Sequence, residues 1–415
     1  MHLKKLQIII SVLVISGFLL AGCSHSSKIS QKSINRVIDV AEKQYTKMLE
    51  VSTDLAKYLR TSNADGSVKY VSIRDWTGGF WPGSLWYLYD FTKKDAWEKA
   101  AVKWTESLES NQYNTTHHDI GFMMYCSYGN AIRHINSEKY KEILIQSAKS
   151  LIKRYDERVG SIKSWNTKKS WDNNTWYFPV IIDNMMNLEL LFYASKITGD
   201  PIYKNIAIKH AETTMKNHLR PDYSSYHVVD YDTATGKVLH RQTNQGFSDN
   251  SQWARGQAWG IYGFTVVYRE TGDIRFLNAA QKMADFYINH PNLPKDKIPY
   301  WDFNAGQPGY KPDWAYDTSK FSYIPRDASA AAVTASGLLE MYKYLPNGKK
   351  YYDFAVETLN SLSSPAYLAT PGTNSFFILK HSTGSIPHGT EIDVPLVYAD
   401  YYFLEALARY KKLIN

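Results

Sequence analysis

The chain has 415 residues, of which 44% are hydrophobic and 21% charged, which excludes a minimal stapled module and a long disordered polymer. Its net charge is +8; without Lys4 and Lys5, which fall in a segment read below as removed, about +6 remains, a mildly basic balance that suits anionic partners and comes with no nucleic-acid motif. Two cysteines are too few for a disulfide framework, while 32 Tyr and 12 Trp are a surplus that suits a sugar-binding cleft, where flat apolar faces with polar edges are useful.

Residues 1–23 read as an export signal. Lys4 and Lys5 precede an almost wholly apolar run, Leu6 to Leu20, which is too short to span a membrane comfortably. Leu20-Ala21-Gly22-Cys23 then resembles the bacterial lipoprotein box, which implies a lipidated Cys23. Acyl chains there would make the protein an exported, membrane-anchored lipoprotein facing the periplasm or the cell surface. Residues 24–33 read as a polar tether, and residues 34–415 as one catalytic domain. Cys126 is then an isolated buried thiol.

From Ile34 onward, apolar residues recur at three- and four-residue spacing. The pattern predicts helices over 34–60, 95–109, 120–134, 138–155, 183–197, 201–218, 256–270, 274–289, 328–343, 350–363 and 396–412. Strand alternation is confined to short pieces near His227–Tyr231 and Val238–Gln242, around a turn at Thr233-Ala234-Thr235-Gly236. Helix junctions repeat: Thr198-Gly199-Asp200 precedes Tyr203 and Ala207, and Thr271-Gly272-Asp273 precedes Phe276 and Ala279. Asn347-Gly348 precedes Tyr351 and Ala355, with looser versions at Asp95 and Ser137. Gly suits a helix end and Asp the next helix start. Hairpins of this kind bury their apolar faces only against neighbours, so five or six should close into an all-α (α/α)6 barrel with short β pieces in its loops. A TPR-like solenoid is the alternative, with shorter and more regular spacing. The Gly- and aromatic-rich stretches Arg74–Gly83 and Asn244–Asn250 read as loops that build a cleft at one mouth.

Three constellations carry candidate chemistry: His117-His118-Asp119-Ile120-Gly121-Phe122, Ile181-Ile182-Asp183-Asn184-Met185-Met186-Asn187, and His227 with Thr243, Gln245 and Trp253–Trp259. Asp119 and Asp183 each stand where apolar periodicity begins, so the plainer role for either is a helix cap worth about 1 kcal/mol. Against that, Phe178–Ile182 is an apolar approach that would leave Asp183 poorly solvated and raise its pKa toward a proton-transfer role. Asp119 follows two histidines, a costly cluster for a cap. Adjacent histidines do not share a helix face, and no second cluster has ligand spacing, so no metal and no cofactor are expected. Arg255 and Trp259, four apart, read either as a clamp on a sugar carboxylate or as a structural cation–π pair.

Taken together, the Trp76–Gly83 loop, the two aspartate motifs, the run Gln245–Gly263 and Asp393-Val394-Pro395-Leu396 resemble the unsaturated glucuronyl hydrolases, glycoside hydrolase family 88, over most of residues 40–412. The resemblance implies an (α/α)6 barrel that takes uronic-acid-terminated oligosaccharides left by polysaccharide lyases. It implies Asp183 as general acid/base, which protonates C4 of the unsaturated uronate and activates the water that adds at C5, and Asp119 as the second essential carboxylate. It further implies that Trp76, His118, His227, Thr243, Gln245, Arg255 and Trp259 line the sugar subsite and that Ser382 and Ser385 contact the next sugar. Some members that prefer sulphated substrates carry a lysine two residues past the second serine. Here that position is Pro387, which argues against a sulphate preference unless Lys380 or His388, both nearby, substitutes. The related unsaturated rhamnogalacturonyl hydrolases typically lack the second carboxylate. A non-catalytic glycan-binding lipoprotein would share the anchor and the aromatic surplus.

Overall fold

The computed structural model describes residues 28–315, 317 and 322–414. The signal segment, Cys23 and the start of the tether therefore lie outside the described residues.

Twelve α-helices are present among the described residues: α1 (Gln31–Val51), α2 (Phe80–Thr92), α3 (Asp95–Glu106), α4 (Ile120–Ala131), α5 (Glu138–Ile152), α6 (Leu188–Thr198), α7 (Pro201–Asn217), α8 (Ala254–Thr271), α9 (Ile274–Asn289), α10 (Ala328–Tyr342), α11 (Lys349–Leu362) and α12 (Val397–Ile414). The even-numbered helices form a closed inner ring: α2 packs on α4, α4 on α6, α6 on α8, α8 on α10, α10 on α12, and α12 back on α2. The odd-numbered helices lie outside it, each beside an even-numbered neighbour. This is the (α/α)6 barrel, and the ring closure excludes an open solenoid.

The junction residues act as their chemistry dictates. Gly199 and Gly272 take left-handed backbone angles (φ 73° and 70°) at the ends of α6 and α8. Asp200 and Asp273 then cap α7 and α9 through their side chains, as Ser137 caps α5. The third repeat departs from this pattern. Gly348 is right-handed and precedes α11 without a side-chain cap.

Several sequence expectations need correction. The first helix begins at Gln31, three residues before the expected start, with Ser30 as its cap and Ile29 already buried. It ends at Val51 rather than continuing to 60, because Lys57–Ser62 pairs with Val68–Ser72 as the hairpin β1–β2. The stretch Arg74–Gly83 is largely helical: Trp76–Gly79 forms a 3-10 turn and α2 starts at Phe80. Pro82 is accommodated in its first turn, where no intrahelical N–H bond is lost. α2 is apolar nearly all round and buried for most of its length, so it carries no amphipathic period to read. Residues 182–187 are a 3-10 turn rather than the first turn of α6.

The remaining strands are short and lie in loops. They are β3 (Tyr155–Asp156) with β4 (Ser161–Ile162), β5 (Lys168–Lys169) with β6 (Thr175–Trp176), the sheet β7 (Pro179–Ile181), β8 (Val228–Tyr231) and β9 (Val238–Gln242), and the hairpin β10 (Ser382–Ser385) with β11 (Thr390–Val394). The β8–β9 pairing is the expected hairpin, but β7 extends it to three strands.

Candidate active site

The inner helices all begin at one end of the ring, and the unusual residues collect there. The antiparallel pairing of β7 with β8 places Ile181 opposite Val228. Asp183 follows the first by two residues and His227 precedes the second by one, so the sheet brings them side by side. The Ile182 amide donates to the His227 carbonyl at 3.0 Å and fixes the junction. His227 Nε2 then lies 3.7 Å from Asp183 Oδ1, and neither atom has a hydrogen-bond partner.

Asp119 stands at the N-cap position of α4 but does not cap it with its side chain. That role falls to Asn187, whose Oδ1 accepts from the Phe122 amide at 2.8 Å. Asn187 reaches the helix because residue 121 is glycine: a β-carbon there would stand 2.5 Å from the Asn187 Cα. The two aspartate motifs are thus built against each other, and the Asp119 carboxylate is released from capping. Its oxygens lie 3.2 Å from His117 Nδ1 and 3.3 Å from His118 Nε2.

These surroundings drive the two carboxyls apart. Burial pushes Asp183 up to about 7, aided by the charge of Asp119 and opposed by Arg255 and the Trp259 indole. Burial also acts on Asp119, but His118, His117 and Arg154 outweigh it and hold that carboxyl below its ordinary value. One acid and one carboxylate side by side is the arrangement proton transfer needs.

Asp119 and Asp183 share a cavity of about 80 Å³ with Trp76, Gln245 and Arg255. A larger cavity, about 380 Å³, lies at the other end of the ring around Cys126 and Glu405. We assign the chemistry to the smaller one. In the larger, Glu405 is already bonded by Tyr87, Tyr262 and Ser336, and Arg269 by Glu189. The smaller holds the unpaired Asp183 Oδ1. Cys126 itself is a free, buried thiol, raised in pKa by burial.

The other expected residues divide by position. His118 and His227 stand directly behind the carboxylates, almost wholly buried. Thr243 does not line the cavity: its hydroxyl accepts from the Gly246 amide at 2.8 Å and shapes the turn that presents Gln245. Ser382 and Ser385 sit on the β10–β11 hairpin, the first buried with an unpaired hydroxyl, the second 2.6 Å from His388 Nδ1. Lys380 reaches the Pro365 carbonyl instead of joining this group.

The Arg255–Trp259 clamp takes a different form from the expected one. Arg255 is buried. Its Nη1 donates to Asp327 Oδ2 at 2.6 Å and to the Thr383 carbonyl at 2.5 Å, and its Nη2 to the Gly384 carbonyl at 2.5 Å. The rings it faces are Trp253 and Tyr398, 4.7 and 5.4 Å away. Arg255 therefore braces the hairpin and supplies charge to the cavity wall. Trp259 is fully buried between Phe122 and Tyr402, with its indole nitrogen on the Asp183 side, so no face of it is open for stacking.

Sequence reasoning missed four further walls: Arg60, Trp165, Glu391 and Tyr398. Ile181, also a wall, belongs to the Asp183 motif but was given no role of its own. The others come from distant segments, and only the aromatic surplus hinted at Trp165 and Tyr398.

Comparison with known proteins agrees with this geometry. Residues 38–306 match the family model Glycosyl Hydrolase Family 88. An unsaturated glucuronyl hydrolase of Formosa agariphila is 45% identical over 417 residues, which cover 99% of this chain and 100% of the relative. An unsaturated chondroitin disaccharide hydrolase of Streptococcus agalactiae is 33% identical, covering 90% of this chain and 92% of the relative. The crystal structure of an unsaturated glucuronyl hydrolase specific for heparin superposes with a TM-score of 0.85 at 45% identity, covering 93% of this chain and 98% of the other.

Proposed function

The chain belongs to glycosyl hydrolase family 88, and on that premise we propose that it removes the terminal 4,5-unsaturated uronic acid from glycosaminoglycan-type oligosaccharides left by polysaccharide lyases. The observation that carries this reading is the split pair: Asp183 raised to about 7 and Asp119 held low, in one cavity.

Protonated Asp183 delivers its proton to C4 of the vinyl ether, and positive charge develops at C5 and the ring oxygen. Ionised Asp119, in the same cavity, stabilises that charge. The Asp183 carboxylate then takes a proton from the water that adds at C5, which restores the acid. The product is a hemiketal. Its C5–ring oxygen bond breaks to leave a ketone at C5 and a hemiacetal at C1, and the hemiacetal expels the rest of the oligosaccharide. Hydration of a double bond replaces displacement at C1, so the rule relating carboxylate separation to stereochemistry does not apply.

Asp119 also weighs against the alternatives. A rhamnogalacturonyl hydrolase of this fold needs no second carboxylate, and a glycan-capturing lipoprotein needs neither. The experiment is Asp183→Asn, assayed on a lyase-made disaccharide by the fall in absorbance of the conjugated double bond. The wild type should consume the substrate and the variant should not. Undiminished decay in the variant would remove Asp183 from the mechanism. We also propose that the protein is exported and held at a membrane by acyl chains on Cys23, supported by the Lys4-Lys5 start, the apolar run and the Leu-Ala-Gly-Cys box.

A further inference from the structure

Among the described residues, a cation at the mouth of the site, Lys168, has no carboxylate paired with it. Lys168, on β5, holds its ammonium 4.6 Å from the ring of Trp165 and 5.5 Å from that of Trp176. It donates to Asn244 Oδ1 at 3.1 Å. Among the described residues no carboxylate pairs with it, and burial lowers its pKa. Two ring faces and one amide oxygen replace only part of an ammonium's hydration.

The neighbours of Lys168 fix where this charge acts. Trp165, beneath it, is a wall of the catalytic cavity, as is Gln245, next in the chain to Asn244. Lys168 itself is not. Its charge is felt by His227 behind Asp183 and by His388 on the turn of the β10–β11 hairpin. His388 is exposed, bonds Ser385, and faces Trp171 at 4.8 Å, while the Trp171 indole donates to the Asn244 carbonyl at 3.1 Å. Lys168 therefore stands on the rim, between the cavity and the hairpin. The catalytic cavity is small, about 80 Å³, so the rest of an oligosaccharide leaves it across the rim, and Lys168 stands on one part of that rim.

Two arginines of the cavity wall are already engaged. Both terminal nitrogens of Arg255 are committed to Asp327 and two carbonyls. Arg60 is held by Glu391 and Asp75. We propose that Lys168 reads an anionic substituent, a sulfate ester or sulfamate, on the sugar next to the unsaturated uronate. This rests on the hydrolase reading above and assigns its substrate class to sulphated fragments. The Lys-Trp-Asn platform does the recognition from a different loop than the hairpin position occupied by Pro387.

The test uses the full chain as wild type, Lys168→Met and Lys168→Arg. Substrates are lyase-made unsaturated disaccharides, unsulphated or singly sulphated at the 4-O, 6-O or N position of the hexosamine. The readout is the ratio of kcat/KM for each sulphated substrate to that for the unsulphated one. For at least one position, Lys168→Met should lower this ratio by about tenfold, through KM, the effect of losing one half-buried ionic contact. Lys168→Arg should restore most of it, and added salt should narrow the wild-type ratio but not that of Lys168→Met. An unchanged ratio at every position overturns the proposal. So does an equal loss on all substrates, which would make Lys168 a support for Trp165 or a partner of the uronate carboxylate. If the wild type consumes none of the disaccharides, the hydrolase reading itself fails and takes this one with it.

Discussion

His227 is held as a single tautomer with its Nε2–H directed at Asp183. The amides of Asn244 and Gln245 both donate to Nδ1, at 3.2 and 3.1 Å, so that nitrogen accepts and the ring proton sits on Nε2. Burial, then the charges of Arg255 and Lys168, pushes the imidazole pKa well below its ordinary value, so the ring is neutral at neutral pH. Asp183, raised chiefly by burial to about 7, is a carboxylic acid on the acid side of that value. The first prediction is a pH profile. For an unsaturated disaccharide, kcat/KM should be level below pH 7 and fall by about tenfold per unit well above it, as the proton destined for C4 is lost. Initial rates across buffered pH check this. A rate that climbs through pH 7 to 9 would have the wrong sign for Asp183 as the acid.

The same raised pKa bears on stability. A carboxyl that titrates at about 7 in the fold and at roughly 4 in the unfolded chain imposes no penalty below the lower value. The penalty grows as pH rises between the two, because the fold resists ionisation. Asp183→Asn removes it. The variant should melt with the wild type near pH 4 and above it by about one to three degrees at pH 8. Scanning calorimetry at both pH values tests this, and a variant that melts lower at pH 8 would contradict it.

Asp400 shows why a raised pKa alone does not mark a catalyst. Burial raises it also to about 7. Yet it lies outside the catalytic cavity, and it accepts from the amides of Ile378 and Leu379 and from the Tyr45 hydroxyl. Asp400→Asn turns an amide N–H toward one of those donors, which should destabilise by about 2 kcal/mol. Turnover per folded molecule should stay as it was. Urea unfolding paired with active-fraction assays separates the two effects.

How much of this was legible in the sequence depended on distance along the chain. Gly199-Asp200 and Gly272-Asp273 are local signals, and they located the helix seams and hence the barrel. α2 was missed because a helix buried on every side has no polar face to mark its period. Asp183 and His227 were found by motif, but their adjacency depends on β7, three residues too short to read by alternation. Asp119 looked like a cap because its position is a cap. Only Asn187, sixty-odd residues away, shows that another side chain performs that role. Arg60, Glu391 and Lys168 carry no local signature. Their meaning lies in which segments the ring brings to one mouth.

Arg60 joins two of those segments. It bonds Glu391 on β11 through Nε and Nη2, and Asp75 through Nη1 at 2.9 Å. Asp75 in turn caps the turn that carries Trp76. A lysine offers one point charge and does not hold two carboxylates in a plane. Arg60→Lys should therefore destabilise by about 2 kcal/mol, with the nearly buried Glu391 left short of partners. It should also raise KM, since Trp76 and the hairpin both lose their brace. Denaturant unfolding and steady-state kinetics would show whether Lys behaves as Arg does, the outcome that counts against this role.

The position of Ile29 gives the membrane proposal a direction. Its amide donates to the Tyr410 hydroxyl at 3.0 Å, and Asn360 reaches the Lys28 carbonyl at 3.5 Å. Tyr410 lies near the C-terminal end of α12, whereas the catalytic mouth is at the start of that helix, beside Tyr398. The tether thus leaves from the end of the barrel opposite the mouth. Cys23 precedes Ile29 by six residues, a reach of about 20 Å when extended. An acylated Cys23 would hold the end opposite the mouth against the bilayer and point the mouth outward. In cells that export the protein, Cys23→Ala should abolish incorporation of labelled palmitate and shift the protein from the membrane fraction to the soluble one. Because the mouth faces away, kcat/KM on a disaccharide should differ by less than about twofold between membrane-bound and detergent-released wild type. A large rise on release would mean that the bilayer covers the mouth and that the tether runs the other way.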